Sequence, residues 1–185
     1  MSNAKDVARV FEYLSLKSDG VPIEKTRLNK LLYFAQGHTL AEFNRELFSN
    51  QIDAWEHGPV VAVVYSGFDK IVDSTRQNGI TDIQLSSEDI DIIMDVWEQY
   101  RTYSAKDLVN LTHENDTPWS MTYKPAIKNS HISQELIKQY FSQPKNRLKR
   151  VLLNFENVPI VDVFPSEEYD PAEDAMWEAL LDDAK

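Results

Sequence analysis

Thr26-Arg-Leu-Asn-Lys-Leu-Leu-Tyr-Phe-Ala-Gln36 is the stretch whose reading decides the fold. Leu28, Leu31, Leu32 and Ala35 fall on one helical stripe, and Tyr33 and Phe34 widen it around the cylinder. A helix apolar on most sides belongs in the centre of a bundle, so the other elements are expected to pack around this one. Thr26 is the expected cap at its start. Downstream, Phe48, Ile52, Ala54 and Trp55 lose the helical period and suggest a short extended segment between Leu47 and Trp55. Gly58-Pro59 breaks it. Pro59 suits the first turn of a new helix through Val60, Val63, Val64 and Phe68; the competing reading makes Val60 to Tyr65 a buried strand.

Outward from this centre the periodicity is mainly helical. Val7, Val10, Phe11 and Leu14 obey the i, i+3, i+4, i+7 rule, with Asn3 as cap and Gly20 beyond the end. Gly79 and Asp82 mark a loop, after which Ser86 or Ser87 starts a helix with Ile90, Ile93, Met94 and Trp97 on one face. Ser104-Ala-Lys-Asp107 is a capping pattern ahead of Leu108 and Leu111. Pro118 and Pro125 bracket an irregular stretch. Ser133 caps a helix with Leu136, Ile137, Tyr140 and Phe141 inward, and Pro144 ends it. The expected class is mainly α: a compact helical domain with a small β element and an acidic C-terminal extension.

The extension follows from the charge. Of the net −11 carried by 185 residues, −9 lies between Glu156 and Lys185, where ten acidic residues face one basic. The expected organisation is therefore a domain over 1–155 and a tail over 156–185. Pro159, Pro165 and Pro171 give the tail a linker character. Its tip differs: Asp170-Pro-Ala-Glu173 combines an N-cap, a first-turn proline and a capping glutamate. Met176, Trp177, Leu180 and Leu181 then share one helical face, the expected partner-binding residues of the chain. Such a short helix is marginal in water unless that face docks on something, its own domain or a partner. An acidic tail repels nucleic acid and anionic lipid and favours a basic partner surface.

The absence of cysteine excludes disulfides, thiolate metal sites and cysteine nucleophiles, and fits a reducing cytoplasm. The longest apolar run, Val60 to Tyr65, is far short of the ~20 residues that span a bilayer, and no signal peptide is read at the N-terminus.

Trp55, His57, Gly58 and Pro59 in the turn after the central helix, Leu111-Thr112-His113 with Thr117-Pro118-Trp119, and Ile132-Ser133-Gln-Glu-Leu-Ile137 stand in a fixed order along the chain. This pattern resembles the Panacea domain, also called the SocA-like or phage-associated GepA-like domain, of bacterial and prophage antitoxins. Glu56-His57 stands where family members often carry Lys-Tyr or Arg-Tyr. The resemblance implies an antitoxin that neutralises a toxin encoded beside it by direct binding, with a protease adaptor delivering the toxin for degradation as the alternative. It leaves the toxin's identity open. The matching positions Leu28, Lys30, Leu31, Tyr33, Trp55, Gly58, Pro59, Val60, Thr112, His113, Pro118 and Trp119 are expected to be structural.

Chemistry of its own is not expected of this chain. His38 and Glu42 sit at i, i+4, a spacing that can share a metal, yet no third ligand is recognisable. A hydrolase would use His113 or His38 with carboxylates, and His113 beside Thr112 and Trp119 looks the more catalytic of the two; a buried imidazole packed on indole accounts for it better. Trp55 and Gly58 read as architecture, Trp55 filling volume and Gly58 permitting a backbone sign other residues resist. Ser66-Gly67 lacks the first glycine of a nucleophile elbow. Lys145, Arg147, Lys149 and Arg150 read as a solvated face, so no nucleic-acid partner, cofactor or metal is expected.

Overall fold

The computed structural model describes residues 2–127 and 130–149, which lie in the first of the chain's two units, Met1–Val151. The acidic extension and its expected helix lie outside the described residues. The described part is mainly α, with eight α-helices and a three-stranded sheet.

Helix α1 (Ala4–Asp19) opens on the Asn3 side chain, which accepts from the Lys5 N–H, and closes on Gly20 at φ 70°. Helix α2 (Lys25–Phe43) is the centre: every residue from Leu28 to Leu40 is buried. It packs against α1, α5, α6, α8 and the hairpin, so no side of that buried run is left for water. Thr26 does not cap it. The N-cap is Glu24, without a side-chain cap bond, and Thr26 lies inside the first turn.

Strands β1 (Asp53–Trp55), β2 (Gly58–Val60) and β3 (Ser130–His131) form an antiparallel sheet in the order β2-β1-β3. Ala54 pairs with Pro59 and Trp55 with Gly58 across the first hairpin. Pro59 therefore does not begin a helix; it sits in an edge strand, where a missing N–H costs no ladder bond. Neither reading of Val60 to Tyr65 holds throughout, because Val60 ends β2 and α3 (Ala62–Ser66) starts two residues later.

The remaining helices are α4 (Phe68–Asn78), α5 (Ser87–Tyr100), α6 (Ala105–His113), α7 (Pro118–Thr122) and α8 (Gln134–Phe141). Reciprocal capping boxes start α5 at Ser86 with Asp89, and α6 at Ser104 with Asp107. The buried face of α5 is Ile92, Ile93, Val96, Trp97 and Tyr100, one step round from the expected stripe, leaving Ile90 and Met94 half-buried. The stretch after Pro118 is not irregular: Thr117 caps α7 and Pro118 takes its first-turn position. Pro144 opens a 3₁₀ turn rather than only ending α8.

Two guanidinium clamps tie the helices. Arg9 of α1 holds Asp82 through both carboxylate oxygens, at 2.7 and 2.8 Å, and the Gly79 carbonyl at 2.6 Å. Arg45 bridges Asp89 at 2.7 Å and Glu88 at 3.0 Å, fixing the end of α2 to the start of α5.

Candidate functional site: a clasp around the first hairpin turn

The two residues of the β1–β2 turn, Glu56 and His57, are exposed, while all of β2 behind them is buried. The positive φ of the hairpin falls on Gly58, at 99°. A Cβ there would stand 2.7 Å from Lys30 Cε and 2.8 Å from Thr112 Oγ1. Glycine is required twice over, for the backbone sign and for the approach of two side chains.

Lys30 reaches this point from the middle of α2. It is 1% exposed, and its Nζ donates to the Pro59 carbonyl at 3.1 Å. One residue earlier, Asn29 Oδ1 accepts from the Val61 N–H at 3.0 Å. Two turns on, Gln36 accepts from the N–H groups of Leu47 and Phe48 at 3.0 and 3.1 Å and donates to the Phe48 carbonyl at 3.1 Å. Three polar residues on the most buried helix thus bind the backbone that follows it, satisfying groups that burial would otherwise leave orphaned. From the other side, Trp119 Nε1 donates to the Trp55 carbonyl at 2.7 Å. His113 stacks on Trp119 with ring centroids 3.7 Å apart, and Trp119 stacks on Tyr123 at 4.8 Å.

The electrostatics follow from burial. Desolvation lowers the Lys30 ammonium from 10.5 to about 8. His113 is lowered as well, first by desolvation and then by electrostatic interaction with Lys30 and with His57. Its Nε2 and the indole N–H of Trp55 are buried with no hydrogen-bond partner among the described residues.

The structure brings Lys30, Trp55, Gly58, Pro59, Thr112, His113 and Trp119 into this one clasp. Leu28, Leu31 and Tyr33 belong to the surrounding core, Val60 is buried in β2, and Pro118 starts the helix that carries Trp119. Trp55 is half-buried rather than enclosed. Met176, Trp177, Leu180 and Leu181 lie outside the described residues. Asn29 and Gln36 were missed; their signal was polarity on a helix with no wet face.

The other candidates separate. His38 is 2% exposed and packs edge-on against Phe141 at 4.7 Å, and burial lowers it to about 4. Glu42 is exposed, and no group of three His, Cys, Asp or Glu among the described residues is placed to hold a metal ion. Ser66 Oγ donates to the Ala62 carbonyl at 2.9 Å, inside its own short helix. No helix among the described residues is long and apolar enough to cross a membrane.

Comparison with known proteins matches the same segments. The family described as antitoxin SocA-like, Panacea domain, covers residues 28–120, from the start of the buried run of α2 to the helix that carries Trp119. Antitoxin SocA of Caulobacter vibrioides is 31% identical over 113 residues, covering 55% of this chain. The chain spans 60% of that relative's length. No solved structure matches it.

Proposed function

Because this chain belongs to the Panacea-domain family of SocA-like antitoxins, we propose that it neutralises a cognate toxin by binding it directly and stoichiometrically, without chemistry of its own. The family match over residues 28–120 carries the reading, since the segments it joins are those that converge on the clasp. A hairpin turn exposed at its tip and held beneath by Lys30 and Trp119 is a preorganised element, which lowers the ordering cost of association.

The acidic extension takes part through Met176, Trp177, Leu180 and Leu181, with its carboxylates steering a basic toxin surface toward the complex. Its net charge of −9 between Glu156 and Lys185 raises the association rate, and salt weakens that effect.

The experiment is growth rescue and affinity with the purified product of the neighbouring open reading frame. The expected result is a stable complex and rescue that requires at least equimolar protein; rescue at strongly substoichiometric levels overturns sequestration. In the same assay Trp177→Ala weakens binding by roughly tenfold or more. A chain ending at Val158 loses both affinity and salt dependence. Unchanged affinity in both removes the extension from the interface.

A further inference from the structure

Lys25, the first residue of α2, lays its ammonium over two rings, 5.1 Å from the centroid of Tyr65 and 5.1 Å from that of Phe68. Tyr65 meets Trp55 edge to face, with centroids 5.0 Å apart at 66°. Tyr65 is 40% exposed, and Trp55, Phe68 and Lys25 are half-buried. Three large aromatic side chains therefore share one partly wet face, capped by a cation.

The cation is the informative member. Arg9, Arg45 and Arg101 each hold a carboxylate, whereas Lys25 has none within ion-pair distance among the described residues and is held only by ring faces. Its ammonium is pinned in place and partly stripped of water, so a carboxylate arriving from outside finds it preplaced. The face is also continuous with the clasp, because Trp119 fixes the backbone carbonyl of Trp55.

We propose that Trp55, Tyr65, Phe68 and Lys25 form a docking surface for the cognate toxin, whose seated segment presents an apolar side chain with a carboxylate beside it. The proposal rests on the antitoxin reading. Tyrosine and tryptophan give large contact area with few rotamers to freeze, which suits them to the centre of an interface. The apolar side chain covers the Tyr65 and Trp55 rings, and the carboxylate supplies Lys25 with the pairing that it does not have among the described residues. Enclosure by the partner removes water from that pair and strengthens it.

The test measures affinity of the full chain for the neighbouring gene product at low and high salt, beside growth rescue and thermal unfolding. Tyr65→Ala is expected to weaken binding about tenfold or more. Lys25→Glu weakens it at least as much, with the loss largest at low salt, and Lys25→Arg stays near wild type. Unfolding temperatures fall by no more than a few degrees, because Tyr65 and Lys25 each keep one side toward solvent. If Tyr65→Ala lowers the unfolding temperature further than that, Lys25→Glu decides alone. Wild-type affinity in both Tyr65→Ala and Lys25→Glu overturns the docking surface and leaves the antitoxin reading standing. A wild-type chain that neither binds nor rescues overturns both. Self-association abolished by Tyr65→Ala with toxin affinity kept assigns the face to a second copy, which also overturns the proposal.

Discussion

Lys30 carries an ammonium into the interior with a backbone carbonyl beside it and no carboxylate among the described residues. The cost shows in its titration. The folded group titrates at about 8 while the unfolded one keeps the ordinary 10.5, so between those values the unfolded chain holds a proton that the folded chain has released. Stability therefore rises with pH through that window, and below it the charged form destabilises the fold by roughly 3 kcal/mol. Lys30→Met keeps most of the volume and removes the titration. The Pro59 carbonyl loses its donor, which costs about 1–3 kcal/mol and offsets much of the relief of the buried charge. The expected outcome is a variant within about 2 kcal/mol of wild type at pH 7, with the balance shifting toward wild type by roughly 3 kcal/mol as pH approaches 10.5. Denaturant melts at several pH values check it; parallel curves for the two proteins would refute the buried charge. Nothing local in the sequence marked this residue as buried, since lysine is almost never enclosed. The signals available were its place on a helix with apolar residues on every side and its match to a position of the family motif.

At the scale of elements, helices with local start signals were legible. Asn3, Ser86, Ser104 and Ser133 each accept the backbone N–H that their position in the sequence implies. Thr117-Pro118 is an equally local signature, and the stretch it opens is an ordered five-residue helix rather than irregular. The hairpin was not legible, because the role of Pro59 depends on Ala54 across the sheet and on β2 being an edge. Pairing is a non-local fact that periodicity does not carry. The interface between α2 and α8 was equally hidden. Gly37 has no special backbone angle, yet a Cβ on it would fall 2.3 Å from two ring carbons of Phe141. Gly37→Ala gains helix propensity of about 1 kcal/mol and still is expected to destabilise by about 1–3 kcal/mol through overpacking. Phe141→Leu relieves the clash, so the double variant is more stable than the sum of the single losses implies. Additive losses in denaturant melts would show that the two residues do not press on each other.

For the described unit as a whole, the buried titratable groups set the response to acid. Burial lowers His38 to about 4 against an ordinary 6.5, so the unfolded chain takes up a proton that the folded chain refuses. Stability from this group is full above 6.5 and is lost as pH falls toward 4. Glu12 acts with the opposite sign: desolvation raises its pKa, partly offset by the Ile23 N–H and Arg76, so its contribution is favourable in acid and lost as pH rises. The net expectation is a decline in unfolding temperature between pH 6.5 and 4 that His38→Gln flattens; an equal decline in the variant excludes His38 as its source. The position of α8 has a further consequence for how the protein is made. Phe141, which covers Gly37 of the central helix, comes far along the chain. While a ribosome is still translating the segments between them, α2 stands with one flank bare. The central helix therefore acquires its last flank only once α8 has been synthesised, which leaves apolar surface of α2 open to other contacts until then.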